Sequence, residues 1–302
     1  MNKTRKAWLT AAAVLLAAGC LIFFVGWAAC GFDFTAFSTQ RYVTNTYEIA
    51  DPFDSLRLEV TTAKLQFAAA DGETCKVVCV EPENLQHSVF VEDGVLTILS
   101  NDTREWYEHI GFFSETAQIT VYLPQGRAYR SLFLKTDTGG AVLPAHWAFE
   151  QIEITSGTAD VDCRASASEL LRIAAQTGSI ALAPTEGMGA VELQTATGEV
   201  SAAGVDCRSL SVKSSTGTVF LHDVTAAGSL SVQTNTGDIQ LENSDAGQIT
   251  FKTNTGDVRG TLLSEKVFVA STSTGSIHVP QTAAGGLCEI TTKTGNIDIE
   301  LP

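Results

Sequence analysis

The stretch SVQTNTGDIQLENSDAGQITFKTNTGDV, residues 231–258, spells Thr-Asn-Thr-Gly-Asp twice, at 234–238 and at 253–257, nineteen residues apart. Outward from it the Thr-Gly word recurs at Thr138-Gly139, Thr177-Gly178, Thr197-Gly198, Thr216-Gly217, Thr236-Gly237, Thr255-Gly256, Thr274-Gly275 and Thr294-Gly295. Thr158-Ala159 fills the one double-length gap, and the spacings are then 20, 19, 20, 19, 20, 19, 19 and 20. Two places after the Gly position stands a small or branched apolar residue, from Ala141 and Val161 to Ile277 and Ile297. Five and seven places before it stand further apolar residues, such as Leu132 and Leu134 or Leu230 and Val232, with polar residues between them.

Each unit therefore reads as two short alternating strands joined by a Thr-Gly turn. Strand pairs this short cannot bury their apolar face alone, so the units must stack. The expected fold is all-β: a single-stranded parallel β-helix, or solenoid, of about nine coils of 19–20 residues. At a coil spacing of about 4.8 Å the stack is roughly 43 Å long. Glycine supplies the positive φ of the corner, the threonines form a ladder on its edge, and Ala159 marks a corner of different shape or with strain. A β-propeller is the rival, since two units approach the about 40–45 residues of a blade. Adjacent units are as alike as alternate ones, however, and nine do not divide into whole blades.

Residues 47–130 alternate in strand fashion but less regularly ("SLRLEV", "KLQF", "CKVVCVE", "QITVYLP") and read as an irregular β cap with the first coils, ahead of the regular repeats at 131–302. Residues 32–46 read as a linker. Residues 1–31 are a basic stub, with Lys3, Arg5 and Lys6, and an apolar run without charge from Ala7 to Asp33. That run exceeds the roughly 20 residues needed to cross a bilayer, and the positive stub places the N-terminus in the cytoplasm and the rest outside. A cleaved signal peptide has a shorter apolar region; "LLAAGC" leaves lipidation at Cys20 as the rival to an uncleaved anchor.

The formal charge of the 302-residue chain is −15, and setting aside the three bases of the stub leaves −18 on the remainder. That sign excludes a nucleic-acid grip and matches a soluble exported domain. Of seven cysteines, Cys20 and Cys30 lie in the apolar run. Cys75, Cys79, Cys163, Cys207 and Cys288 are odd in number, lack a CxxC pair and read as small buried apolar residues.

The chain holds no GxSxG, SxxK, HExxH, GxGxxG, Walker or EF-hand word, and its five histidines share no metal-ligand spacing. No catalytic residue, cofactor or firm metal site is expected. Asp238 and Asp257, in equivalent places of adjacent coils, are a weak Ca²⁺ candidate against ordinary turn chemistry. Trp106, Tyr107, Phe112 and Phe113, within "NDTREWYEHIGFF" (101–113), are either an exposed contact patch or a plug over the end of the core. Gln194, Lys213, Gln233 and Lys252 fall four places before successive glycines and form a polar ladder that is either a contact face or a solvated one.

The ninefold Thr-Gly repeats, the tail "CEITTKTGNIDIELP", "ITVYLP" before the first repeat and the N-terminal anchor together resemble the "putative adhesin" family, a group of β-strand-repeat proteins of unknown function common in Gram-positive bacteria. The likeness covers about residues 47–302. It implies a β-helical fold on the cell surface without known catalytic residues. The expected function is a non-enzymatic, membrane-anchored extracellular scaffold that meets a cell-wall polymer, a surface glycan or a membrane protein. An accessory role in envelope-stress sensing is the first alternative. A glycan-active β-helix enzyme is the second, although the repeats show only scattered carboxylates such as Glu199, Asp238 and Asp257.

Overall fold

A computed structural model of the protein describes residues 3–29, 41–102, 117–183 and 185–302. The aromatic segment with Trp106, Tyr107, Phe112 and Phe113 falls outside them. Helix α1 spans Lys3–Ala29, and its stretch Trp8–Ala29 is long and apolar enough to cross a membrane.

Beyond it the chain is an all-β parallel solenoid. Each coil contributes one strand segment before the Thr-Gly corner and one after it, and corresponding residues pair in parallel register, as in Leu210↔Leu230 and Val219↔Ile239. The apolar columns read from the sequence point inward: Leu132, Ile152, Leu171, Val191, Leu210, Leu230 and Ile249 are buried, as are Ile180, Val200, Val219, Ile239 and Val258. Each such side chain contributes about 1.5–3 kcal/mol on leaving water. The core is one continuous cluster from Phe53 to Ile299.

Stacking follows the chain order through the middle but not at either end. The corner threonines pair in the order 177, 197, 216, 236, 255 and then 294, with Thr274 beyond. The strand Ile239–Lys252 pairs with the last long strand, Gly286–Thr294, and the strand Lys266–Thr274 lies outside that one. The chain's final coil is thus interior and its penultimate coil terminal. The other end repeats the device. Strands β1 (Tyr42–Ile49), β2 (Ser55–Val60), β3 (Lys64–Ala69), β4 (Cys75–Pro82), β5 (Leu85–Glu92), β6 (Val95–Asp102) and β7 (Gln118–Leu123) make up the cap. The first coil, β2–β3, sits between β6–β7 on one side and the strands Ala128–Thr136 and Ala141–Leu143 on the other. The remaining three strands cover that end antiparallel: β1 on β4, β4 on β7, and β5 on β6.

Strand β1 begins at Tyr42, inside the stretch read as linker. Its alternation starts at Val43, whose side chain, like those of Asn45, Tyr47 and Ile49, is half-buried against the cap. Periodicity ran on upstream of residue 47, hidden by the polar residues between.

The cysteines behave as small apolar residues. Cys75, Cys79, Cys163, Cys207 and Cys288 are buried free thiols. Burial pushes Cys75, Cys79, Cys163 and Cys288 up to about 12 and Cys207 to about 11, from an ordinary 9.0. The unfolded chain therefore releases these protons first as the pH rises. Stability is intact below pH 9 and falls toward pH 12, each thiol removing up to about 1.4 kcal/mol per pH unit. A denaturant midpoint clearly lower at pH 10.5 than at pH 8.5 is the expected result; equal midpoints would contradict it.

Candidate functional site

Two corner columns face opposite ways. The threonines before the glycines, from Thr138 to Thr294, are exposed and line the outer edge as a ladder. Three places before each glycine sits a hydroxyl in eight units of nine, and Thr136, Ser156, Thr195, Ser214, Thr234, Thr253 and Thr292 in this column are buried. Thr195, Thr253, Thr272 and Thr292 donate to the carbonyls of Gly178, Gly237, Gly295 and Gly256 in a neighbouring coil. These bonds stitch coil to coil behind the corner. The exposed threonines drew attention in the sequence; the inner column was equally periodic and supplies these four bonds, while Thr138 and Thr158 of the outer column donate to the carbonyls of Thr61 and Asp137.

The corner changes shape early in the stack. Gly178, Gly198, Gly217, Gly237, Gly256, Gly275 and Gly295 hold φ between 144° and 151°, whereas Gly139 and Ala159 do not share that region. There the hydroxyls of Thr136 and Ser156 fold back onto the carbonyls of Gly139 and Ala159 in their own corner. Ala159 sits in a corner of different shape, without the backbone that glycine serves.

Asp238 and Asp257 stand side by side as the spacing required. Each lends Oδ1 to a backbone amide one coil further on, Asp238 to Asp257 at 2.9 Å and Asp257 to Asn296 at 2.7 Å. Asp238 Oδ2 meets Arg259 at 3.1 Å. These carboxylates cap turns, and a Ca²⁺ ion at this corner would compete with the guanidinium and the amides for the same oxygens. Asn254 donates to Asn235, continuing the same edge.

The outward strand face carries the polar ladder. Gln194, Lys213, Gln233 and Lys252 are consecutive register partners. Beside them Arg172 meets Glu192 at 2.8 Å and Lys252 meets Glu289 at 3.6 Å. Arg172, Glu192, Gln194, Ser211 and Lys213 line a shallow groove of about 300 Å³. Such a face offers charged and amide groups at the coil spacing of about 4.8 Å, a regular comb of donors and acceptors.

A second polar cluster lies inside the cap. Glu81 occupies the inward register of β4 with Cys75, Val77 and Cys79, and is fully buried. Its carboxylate accepts from Asn45 Nδ2 at 2.7 Å and from the His87 amide at 2.9 Å, and lies 2.5 Å from His87 Nδ1. His87 Nε2 meets Ser100 Oγ at 3.0 Å, and Ser100 Oγ accepts from the Thr61 amide at 3.2 Å. Tyr47 donates to the His87 carbonyl. Ser, His and Glu in this order match an acyl-transfer relay, but His87 and Ser100 are direct cross-strand partners on β5 and β6, and the contact follows from that pairing. Cys79, Glu81 and His87 also bring three ligand atoms within 4.8 Å of one another. Both imidazole nitrogens and the carboxylate already have partners, so the cluster is complete as a brace joining β1, β4, β5, β6 and the first coil. The sequence signal was the glutamate in an otherwise apolar inward register.

The family comparison and the structural neighbours agree with this architecture. A putative adhesin from Bacteroides fragilis NCTC 9343 matches at 12% identity and a TM-score of 0.52, covering 86% of this chain and 97% of that one. A putative adhesin from Parabacteroides distasonis ATCC 8503 matches at 11% identity and 0.52, covering 86% and 98%. At that identity they share the fold. No curated protein matches the sequence. The Toastrack DUF4097 family model matches residues 53–302, from just before β2 to the last coil, and the chain belongs to that family.

Proposed function

We propose that the protein is a non-enzymatic scaffold, held by α1 in the cell membrane with its basic stub in the cytoplasm, that presents the solenoid outside the cell to a wall polymer, a surface glycan or a membrane protein. The observation that carries this reading is the unbroken outward ladder of Gln194, Lys213, Gln233 and Lys252 in register. Weak contacts at fixed spacing to a repeating polymer add as linked binding events. The helix Trp8–Ala29 and the basic residues before it support the anchor and its orientation. The name "putative adhesin" of the two neighbours supports a surface role.

The test is co-sedimentation of the full chain, in mild detergent, with purified cell-wall sacculi. Saturable binding that weakens about tenfold in Lys213→Glu/Lys252→Glu is the expected result. Absence of binding would transfer the role to a membrane partner such as an envelope-stress sensor, and release of new sugar ends from the wall would overturn the non-enzymatic reading.

A further inference from the structure

The terminal coil is an unfinished core. Among the described residues the strand Lys266–Thr274 pairs only with Gly286–Thr294, and Ile277–His278 only with Ile297–Glu300. The column two places after the glycine is at most 1% exposed at Ala141, Val161, Ile180, Val200, Val219, Ile239, Val258 and Ile297, but Ile277 is 41% exposed. Phe268 and Ala270, which occupy core positions, are only half-buried. Outside α1, six large apolar side chains of the described residues are exposed, and five of them, Leu263, Val267, Val269, Ile277 and Leu287, lie in or beside this coil. The outward column that reads Phe133, Glu153, Arg172, Glu192, Ser211, Ser231 and Thr250, and Glu289 in the final coil, carries Val269 here.

The strand Lys266–Thr274 carries none of the usual guards against pairing. Sheet edges are ordinarily protected by lysine, proline or a bulge, and solenoid ends by a polar cap. The strand Lys266–Thr274 has neither proline nor a register shift against its neighbour. From Val267 to Cys288 the chain carries no Asp, Glu, Lys or Arg, in a protein of net charge −15. Lys266 is itself buried, 2.5 Å from Asp245, and locks the coil to the body rather than facing out.

We infer that this end is the docking surface for a second copy of the same chain, joined coil against coil about a two-fold axis, with the strands Lys266–Thr274 of the two copies antiparallel. Three observations select that occupant. An uncharged end is a face through which two strongly negative molecules meet without repulsion. A coil of about 20 residues matches the roughly 20–30 residues a side of a standard interface. Among the described residues the opposite end is crossed by the antiparallel strands β1, β4 and β5 and presents no matching coil, so the contact is isologous and closes at two rather than growing into a fibre. The inference is independent of what the polar ladder binds.

The full chain in detergent, examined by sedimentation equilibrium, is expected to dimerise. Val269→Lys, at an exposed outward position that leaves the core intact, weakens the dimer at least tenfold while the unfolding midpoint is retained. In a Cys20→Ser/Cys30→Ser background, Val267→Cys, Val269→Cys and Ser271→Cys are scanned, and at least one forms a disulfide-linked dimer under mild oxidation. A chain that stays monomeric up to about 100 µM overturns the inference. So does a dimer indifferent to Val269→Lys, which would be held by another surface, and so does a monomer that captures only a different protein through this end.

Discussion

Gly217→Ala is expected to destabilise the protein by about 3 kcal/mol or more, whereas Gly72→Ala is expected to be near neutral. Gly217 has φ 144°, a conformation that side chains rarely adopt, and this alone costs about 1–3 kcal/mol. A methyl built on its Cα would lie 1.9 Å from the Gly198 carbonyl oxygen of the adjacent coil. That atom is backbone, pinned by the parallel ladder on both sides, so it yields only by prising two coils apart. Gly72 has open space around it. Ala159 shows that alanine is acceptable at a corner only where φ leaves the glycine region. Denaturant midpoints of the two variants are the measurement, and a loss below about 1 kcal/mol for Gly217→Ala would mean that the corner relaxes freely.

The second large effect is expected in the cap. Glu81→Ala removes the carboxylate that takes hydrogen bonds from Asn45, the His87 amide and the His87 ring. Two buried donors of His87 and a half-buried one of Asn45 are left without an acceptor, and breaking a buried pair from one side costs about 3–5 kcal/mol. Glu81→Gln keeps two acceptor positions and is expected to lose less. The double variant Glu81→Leu/His87→Leu replaces both partners by apolar groups and is expected to be more stable than Glu81→Ala, because no group then remains unsatisfied. Equal loss in all three would mean that packing volume, and not the hydrogen-bonded pair, holds the cap.

The periodicity was sufficient for the coil. Corners recur at 19–20 residues because the same steric demand recurs, and the inward columns follow from alternation on either side of them. Neighbour relations at the ends were not legible for the same reason: the units holding Thr274 and Thr294 carry the same pattern, and equivalence in sequence cannot say which lies next to Thr255. The sequence trace of the terminal coil is local, in Val269 standing where most coils place a polar residue and in the missing charge. Glu81 was concealed differently. It lies among Cys75, Val77 and Cys79 in "CKVVCVEP", where alternation assigned it inward, but its partners Asn45 and His87, and Ser100 beyond His87, come from strands whose pairing the sequence did not specify.

The exchanged order of the last two coils also sets the sequence of events during synthesis. A solenoid whose coils stack in chain order can grow by one coil each time another twenty residues emerge. Here growth stops at the coil of Thr255. The segment 266–278 emerges next but has no docked neighbour until 286–300 has entered beside Ile249, Phe251 and Val258. The most apolar edge of the molecule therefore waits, unpaired, for the final residues of the described chain. Truncation before Cys288 would remove the coil on which 266–278 docks.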